Sequence, residues 1–222
     1  MDGLLFITHR TDRYDYLRSV EIALEGGCRR IQLRMKDAPP GDVEKVARCA
    51  KILCDKYKAA LYIDDYVEIC RRVDATGVHL GKSDMPPPEA RMILGDKKYV
   101  VGGTANTFED ICALYRQGVD YIGLGPFRFT TTKKNLSPVL GLDGYRVIVK
   151  RCRDNGIFLP IMAIGGITID DIPGIMRTGV SGIALSSAIL KAENPAEETG
   201  RIIELIVSLM PPRAHYDRTM AK

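Results

Sequence analysis

Short apolar stretches alternate with longer amphipathic ones along nearly the whole chain. The short stretches are Leu4–Thr8, Arg30–Met35, Ala60–Asp64, Gly77–Leu80, Tyr99–Gly103, Tyr121–Gly125, Pro160–Ile164 and Gly182–Leu185, and each predicts a β-strand. Several are apolar at consecutive positions (IGLG, IMAI, GIAL), as strands covered on both faces are. Between them, apolar positions recur at helical spacing. Asp42–Lys58 places Val43, Val46, Ala47, Ala50 and Leu53 on one face. Thr107, with Asp110 three residues on, reads as a helix start close to a capping box. Glu197–Met210 carries Ile202, Ile203, Leu205, Ile206 and Leu209 as a wide apolar face, which suits a helix covering a sheet better than a membrane or partner helix.

Eight such strands in 222 residues leave about 28 residues per strand-plus-helix unit, close to the minimum for a right-handed βαβ step. The phrases EGGCRRIQL, ATGVHL, RQGVDYIGL and RTGVSGIAL repeat the junction of a helix end with a strand. Glycine there is placed to turn a helix C-terminus through a left-handed residue. The pattern predicts an α/β chain with one (β/α)8 TIM barrel over residues 1–210 and a polar C-terminal tail over 211–222, with an open doubly wound sheet as the alternative.

Composition narrows the function classes. Hydrophobic residues make up 45% and charged residues 27%, which excludes collagenous, mucin-like and wholly disordered chains. The net charge of +4 is small and scattered, so nucleic acid is not an expected partner. No stretch is long and apolar enough to cross a membrane, and Leu4–Ile7, followed by His9 and Arg10, reads as a strand rather than a signal peptide. The six cysteines form no C-x-x-C, and His9, His79 and His215 are far apart, so there is no zinc signature. Reduced, mostly buried thiols in a cytoplasmic protein are expected. Nothing in the chain specifies the oligomeric state, which leaves a homo-oligomer open.

In a barrel of this kind the chemistry sits where the strands end. The second strand ends Gln32-Leu33-Arg34-Met35-Lys36, and alternation sends Gln32, Arg34 and Lys36 to one face. Two cations and an amide there favour an anion site; the bland alternative is a salt bridge to Asp37 or Asp64. The third strand ends in Asp64-Asp65, and Asp84 follows the fourth, a carboxylate set suited to a hard cation such as Mg²⁺ beside a phosphate. After the sixth strand, Thr130, Thr131, Thr132, Lys133 and Lys134 lie on a long loop that could cover a phosphate. The seventh and eighth strands end in Gly165-Gly166-Ile167 and Ser186-Ser187-Ala188, the usual phosphate cradle of the fold. Two anion sites on one cavity, only one of them with metal acids, suggest a pyrophosphate meeting a monophosphate. Gly77–Ser83 imitates a P-loop, but its glycines are one residue too close and three prolines follow. His79, on an apolar strand, reads as a core histidine rather than a base.

QLRMK, IDD, GVHLGKSD, YIGLGP followed by TTTKK, AIGGI and GIALSSAI, in this order, resemble the thiamine-phosphate synthase family across about residues 4–208. The resemblance implies a transferase of thiamine biosynthesis. It would join the pyrimidine diphosphate HMP-PP to thiazole phosphate, with pyrophosphate leaving first and Mg²⁺ assisting. It implies that Gln32, Arg34, Lys36, Asp64, Thr104 and Lys133 hold the pyrimidine diphosphate, with Arg34, Lys36 and Lys133 the catalytic cations. Asp65 and Asp84 would ligate Mg²⁺, and Thr130, Thr132, Gly166, Ser186 and Ser187 would hold the thiazole phosphate. The chain departs from the family pattern at Asp64, usually Asn, at Tyr66, usually Arg, and at Thr104, more often Ser. A bare carboxylate at 64 would repel pyrophosphate unless protonated or metal-bound. The alternatives are a thiazole tautomerase on the same barrel, whose catalytic histidine would stand where this chain has Pro126, and a phosphate-binding barrel without catalysis.

Overall fold

The computed structural model describes residues 3–36, 38–95, 98–129 and 138–210. Eight strands form a closed parallel barrel in chain order: β1 (Leu4–Ile7), β2 (Arg30–Leu33), β3 (Ala60–Asp64), β4 (Gly77–Leu80), β5 (Val100–Ala105), β6 (Tyr121–Leu124), β7 (Ile161–Ile164) and β8 (Gly182–Leu185). The barrel shuts where the first strand meets the last, with Leu4 opposite Ile183 and Phe6 opposite Leu185. Helices follow the strands: α1 (Tyr16–Glu25), α2 (Pro40–Lys56), α3 (Val67–Arg72), α4 (Pro87–Leu94), α5 (Phe108–Arg116), α6 (Gly141–Asp154), α7 (Ile172–Met176), α8 (Ser187–Leu190) and α9 (Pro195–Leu209). The (β/α)8 barrel replaces the open-sheet alternative. The 211–222 tail lies outside the described residues.

Alternation sorts the side chains into two cores. Phe6, Ile31, Leu33, Ile63, Val78, Val101, Ile122 and Ile183 point outward and are buried by the helices. Leu5, Ile7, Tyr121, Met162 and Ala184 point inward and fill the barrel. The predicted capping box of α5 is present: the Asp110 amide donates to Thr107 Oγ1 and the Thr107 amide to Asp110 Oδ2. In three of the repeated junctions the left-handed residue is the glycine (Gly27, Gly118, Gly179); at the fourth it is Asp74, just before ATGVHL. Gly77 is needed there for space, since a Cβ would meet the Val100 carbonyl oxygen at 2.1 Å.

β5 runs two residues past its predicted end, because Thr104 and Ala105 still pair with Gly123 and Leu124. β2 stops at Leu33, so Arg34 and Lys36 stand on the loop beyond it. Cys28, Cys54, Cys70 and Cys152 are buried, and burial pushes the Cys54 and Cys70 thiols up to about 12. Among the described residues no helix is long and apolar enough to cross a membrane.

Candidate active site

The C-terminal mouth of the barrel opens into a cavity of about 620 Å³, within the roughly 300–1,000 Å³ typical of small-molecule sites. Each strand gives it one floor residue: Ile7, Gln32, Asp64, His79, Thr104, Gly123, Ile164 and Ala184. The loops beyond the strands supply the rim, including Arg34, Lys36, Asp65, Asp84, Gly166, Ser186 and Ser187. Thus every predicted site residue among the described ones reaches the same cavity. Thr130, Thr132 and Lys133 lie outside the described residues.

On the side of β2 to β4 the wall is made of charged side chains. Arg34 is seated by its backbone: its amide donates to Thr8 Oγ1 at 2.9 Å, and the Thr8 hydroxyl donates to the Arg34 carbonyl at 3.2 Å. Its Nε lies 3.3 Å from Asp64 Oδ2, and the Gln32 amide donates to Asp64 Oδ1. The bland salt bridge that sequence reasoning set against an anion site therefore exists. Asp64 is a buried counter-ion that orients Gln32 and Arg34 at the cavity floor. The exposed Lys36 stands at the same rim.

Asp65 has a left-handed backbone, with φ +67. That conformation is uncommon outside glycine and is tolerated best by Asp and Asn. Its carboxyl neighbours that of Asp84, which accepts from the Gly81 amide at 2.5 Å. Burial, then the neighbouring Asp64 charge and Asp84, push the Asp65 carboxyl well above the usual carboxylate range; Arg34 offsets this only in part. Two neighbouring carboxyls at one rim suit a hard cation. Among the described residues no group of three or more His, Cys, Asp or Glu side chains converges as a complete cage. A carboxylate pair completed by ligand phosphate oxygens and water is, however, the usual manner of Mg²⁺.

On the side of β6 to β8 the wall is backbone. Gly165 and Gly166 have φ +98 and +68, so this turn keeps its shape only without side chains. Arg128 pins it from outside, donating to the Gly166 carbonyl at 3.0 Å and to both carboxylate oxygens of Asp171 at 2.7 and 2.8 Å. Burial works to raise the Asp171 carboxyl, but Arg128 and the Thr168 donors outweigh it and hold it below the usual range. Ser186 precedes the one-turn α8, and its buried hydroxyl has no partner among the described residues. A phosphate is the kind of ligand such a hydroxyl and glycine turn would satisfy.

Sequence reasoning missed three contributors. Thr8 seats Arg34, and Asn106 donates to the Gly125 carbonyl at the cavity edge. His79 is buried as expected, yet it forms part of the cavity floor. Strand alternation carried the signal: Val78 and Leu80 pack outward, so the residue between them must point in. The imitation P-loop lacks the geometry of one: Lys82 pairs with Asp110 at 2.6 Å and α4 begins only at Pro87.

Comparison with known proteins bears on this cavity. A family model described as thiamine monophosphate synthase matches residues 4–189. A thiamine-phosphate synthase of Bacteroides thetaiotaomicron is 58% identical over 205 residues, covering 92% of this chain and 98% of its own. One of Phocaeicola vulgatus is 59% identical over 202 residues, covering 91% and 97%. Among solved structures, a thiamine phosphate pyrophosphorylase from Pyrococcus furiosus superposes with a TM-score of 0.83 at 32% identity, over 94% of this chain and 97% of that one.

Proposed function

The chain belongs to the thiamine monophosphate synthase family, and we propose that its cavity joins the pyrimidine diphosphate HMP-PP to thiazole phosphate, giving thiamine phosphate and pyrophosphate. The observation that carries this reading is the division of one cavity into a wall of charged side chains and a wall of backbone. The first suits a leaving diphosphate, the second a permanent monophosphate. The C–O bond breaks, and the diphosphate leaves with the bonding electron pair. The thiazole nitrogen then closes a C–N bond onto the stabilised pyrimidine-methyl cation. No proton has to move.

The work left to the protein is charge neutralisation and alignment. Arg34 and Lys36, joined by Lys133, neutralise the departing diphosphate, while Asp64 keeps Arg34 aimed. Gln32 and Thr104 hold the pyrimidine. Gly166, Ser186 and Ser187 hold the thiazole phosphate, joined by Thr130 and Thr132. Asp65 and Asp84 would hold Mg²⁺, which when bound supplies positive charge to the diphosphate oxygens. The test is direct. Purified protein with Mg²⁺ and both substrates is expected to release thiamine phosphate and pyrophosphate in equal amounts. The yield should depend on each substrate and be lost with EDTA. Absence of product, or pyrophosphate release that never yields thiamine phosphate, would overturn the reading.

A further inference from the structure

Under the assigned residues runs a hydrogen-bonded chain that none of those roles uses. Two inward positions of neighbouring strands are glycines, and each makes room for a ring. A Cβ on Gly123 would lie 2.9 Å from His79 Cε1, and one on Gly102 would lie 2.2 Å from Tyr121 Cε1. Tyr121 fills that space one rung below the cavity floor. Its ring centre is 5.5 Å from that of His79 and 5.8 Å from that of Tyr62, the latter edge-on. The Tyr121 hydroxyl lies 3.0 Å from His79 Nδ1, and His79 Nε2 lies 2.9 Å from Thr104 Oγ1.

One direction of the protons along this chain satisfies each of its hydrogen bonds. Tyr121 is buried, and among the described residues its hydroxyl has His79 as its hydrogen-bond partner. Burial, followed by Tyr62 and Asp64, pushes its ionisation well above the ordinary value, so the phenol keeps its proton. A buried phenolic O–H must be donated, and Nδ1 is where it goes. His79 Nδ1 is then an acceptor, which places the imidazole proton on Nε2. Nε2–H donates to Thr104 Oγ1, so the hydroxyl proton of Thr104 points elsewhere. Among the described residues nothing accepts it, and Thr104 faces the cavity.

We propose that Tyr121 and His79 are positioning residues that lock the Thr104 hydroxyl as a hydrogen-bond donor to a ring nitrogen of the pyrimidine substrate. The proposal rests on the pyrimidine reading of this wall. Depth selects the ring over the diphosphate: Thr104 lies within β5, whereas Arg34, Lys36 and Asp84 stand past their strand ends. Gln32 complements it. Its amide N–H is engaged by Asp64, which leaves its carbonyl oxygen to accept. An aminopyrimidine presents the matching pair, a ring nitrogen that accepts beside an amino group that donates. Without the Tyr121 hydroxyl the imidazole can take the other tautomer. Nε2 would then accept from Thr104 and turn the donor away from the ligand.

Steady-state kinetics and imidazole ¹⁵N NMR of the full chain test this. Tyr121→Phe and Thr104→Val should each raise KM for the pyrimidine diphosphate about tenfold, leaving kcat and the thiazole phosphate KM within about twofold. Thr104→Ser should stay close to wild type, and the double variant should match Thr104→Val alone. A Tyr121→Phe enzyme indistinguishable from wild type, or losses that multiply in the double variant, would overturn the proposal. The ¹⁵N spectrum, with the His79 signals assigned by their loss in His79→Gln, should show a protonated Nε2 and a bare Nδ1 in the wild-type chain. The opposite tautomer would overturn the lock whatever the kinetics show. If the wild-type chain makes no thiamine phosphate, the pyrimidine reading fails, and the spectrum still decides the lock by itself.

Discussion

The two walls of the cavity are built by opposite means. From β2 to β4 the functional atoms are side chains, with Gln32 and Arg34 held by a third, Asp64. From β6 to β8 they are backbone groups and short hydroxyls, held by a turn that one arginine braces. A side-chain wall can be altered one charge at a time without disturbing the barrel, because Arg34, Lys36, Asp65 and Asp84 project past the strand ends. A backbone wall has no such independence; its ligand atoms are the fold, so it changes only when its shape changes.

Substitutions can break or sharpen that contrast. Asp84→Ala should cost the most, roughly 10²–10³-fold in kcat at saturating substrates, with the thermal midpoint close to wild type because the residue is at the rim. A near-normal rate in limiting Mg²⁺ would remove the metal role. Arg34→Ala should raise KM for the pyrimidine diphosphate roughly 30-fold and move the thiazole phosphate KM far less. Equal effects on the two substrates would erase the distinction between the walls.

Gly166→Ala is the mirror experiment. Its φ of +68 is strained for alanine, and the added Cβ would meet Arg128 Cγ at 2.5 Å. The thiazole phosphate KM should rise roughly tenfold, while titration of the pyrimidine diphosphate stays unchanged. The smallest effect belongs to Arg128→Ala. It should lower the thiazole phosphate affinity a few-fold and the stability by about 1 kcal/mol at neutral pH. The Asp171 carboxyl is held below its ordinary 3.8 in the folded chain, so the pair contributes above that pH and is lost as the pH falls through the lower folded value. Chemical denaturation of wild type and Arg128→Ala should therefore converge in acid. A gap that persists there would assign the loss to packing of the arginine stem instead.

Much of this was legible in the sequence because a parallel barrel writes its outward face plainly. IGLG, IMAI and GIAL are strands at sight, and their last residues mark the mouth. The end of β5 was hidden because Gly102 and Gly103 are weak strand formers; pairing with β6 carries the strand to Ala105. His79 was obscured by its apolar neighbours, which belong to the other core. The destination of Arg34 could be named only as a choice between a ligand and Asp64, since a buried carboxylate and an anionic substrate ask for the same cation. Arg128 and Asp171 are 43 residues apart, and nothing local links them.

The seam between β1 and β8 has a consequence for how the chain is made. Leu4 is made well before its partner Ile183. Until then the first strand keeps an open parallel edge, which invites pairing with the wrong neighbour. Closing the ring, and with it the binding mouth, waits until β8 has been made. A nascent chain stalled anywhere before β8 should therefore be without a substrate pocket, however many of its helices have already formed.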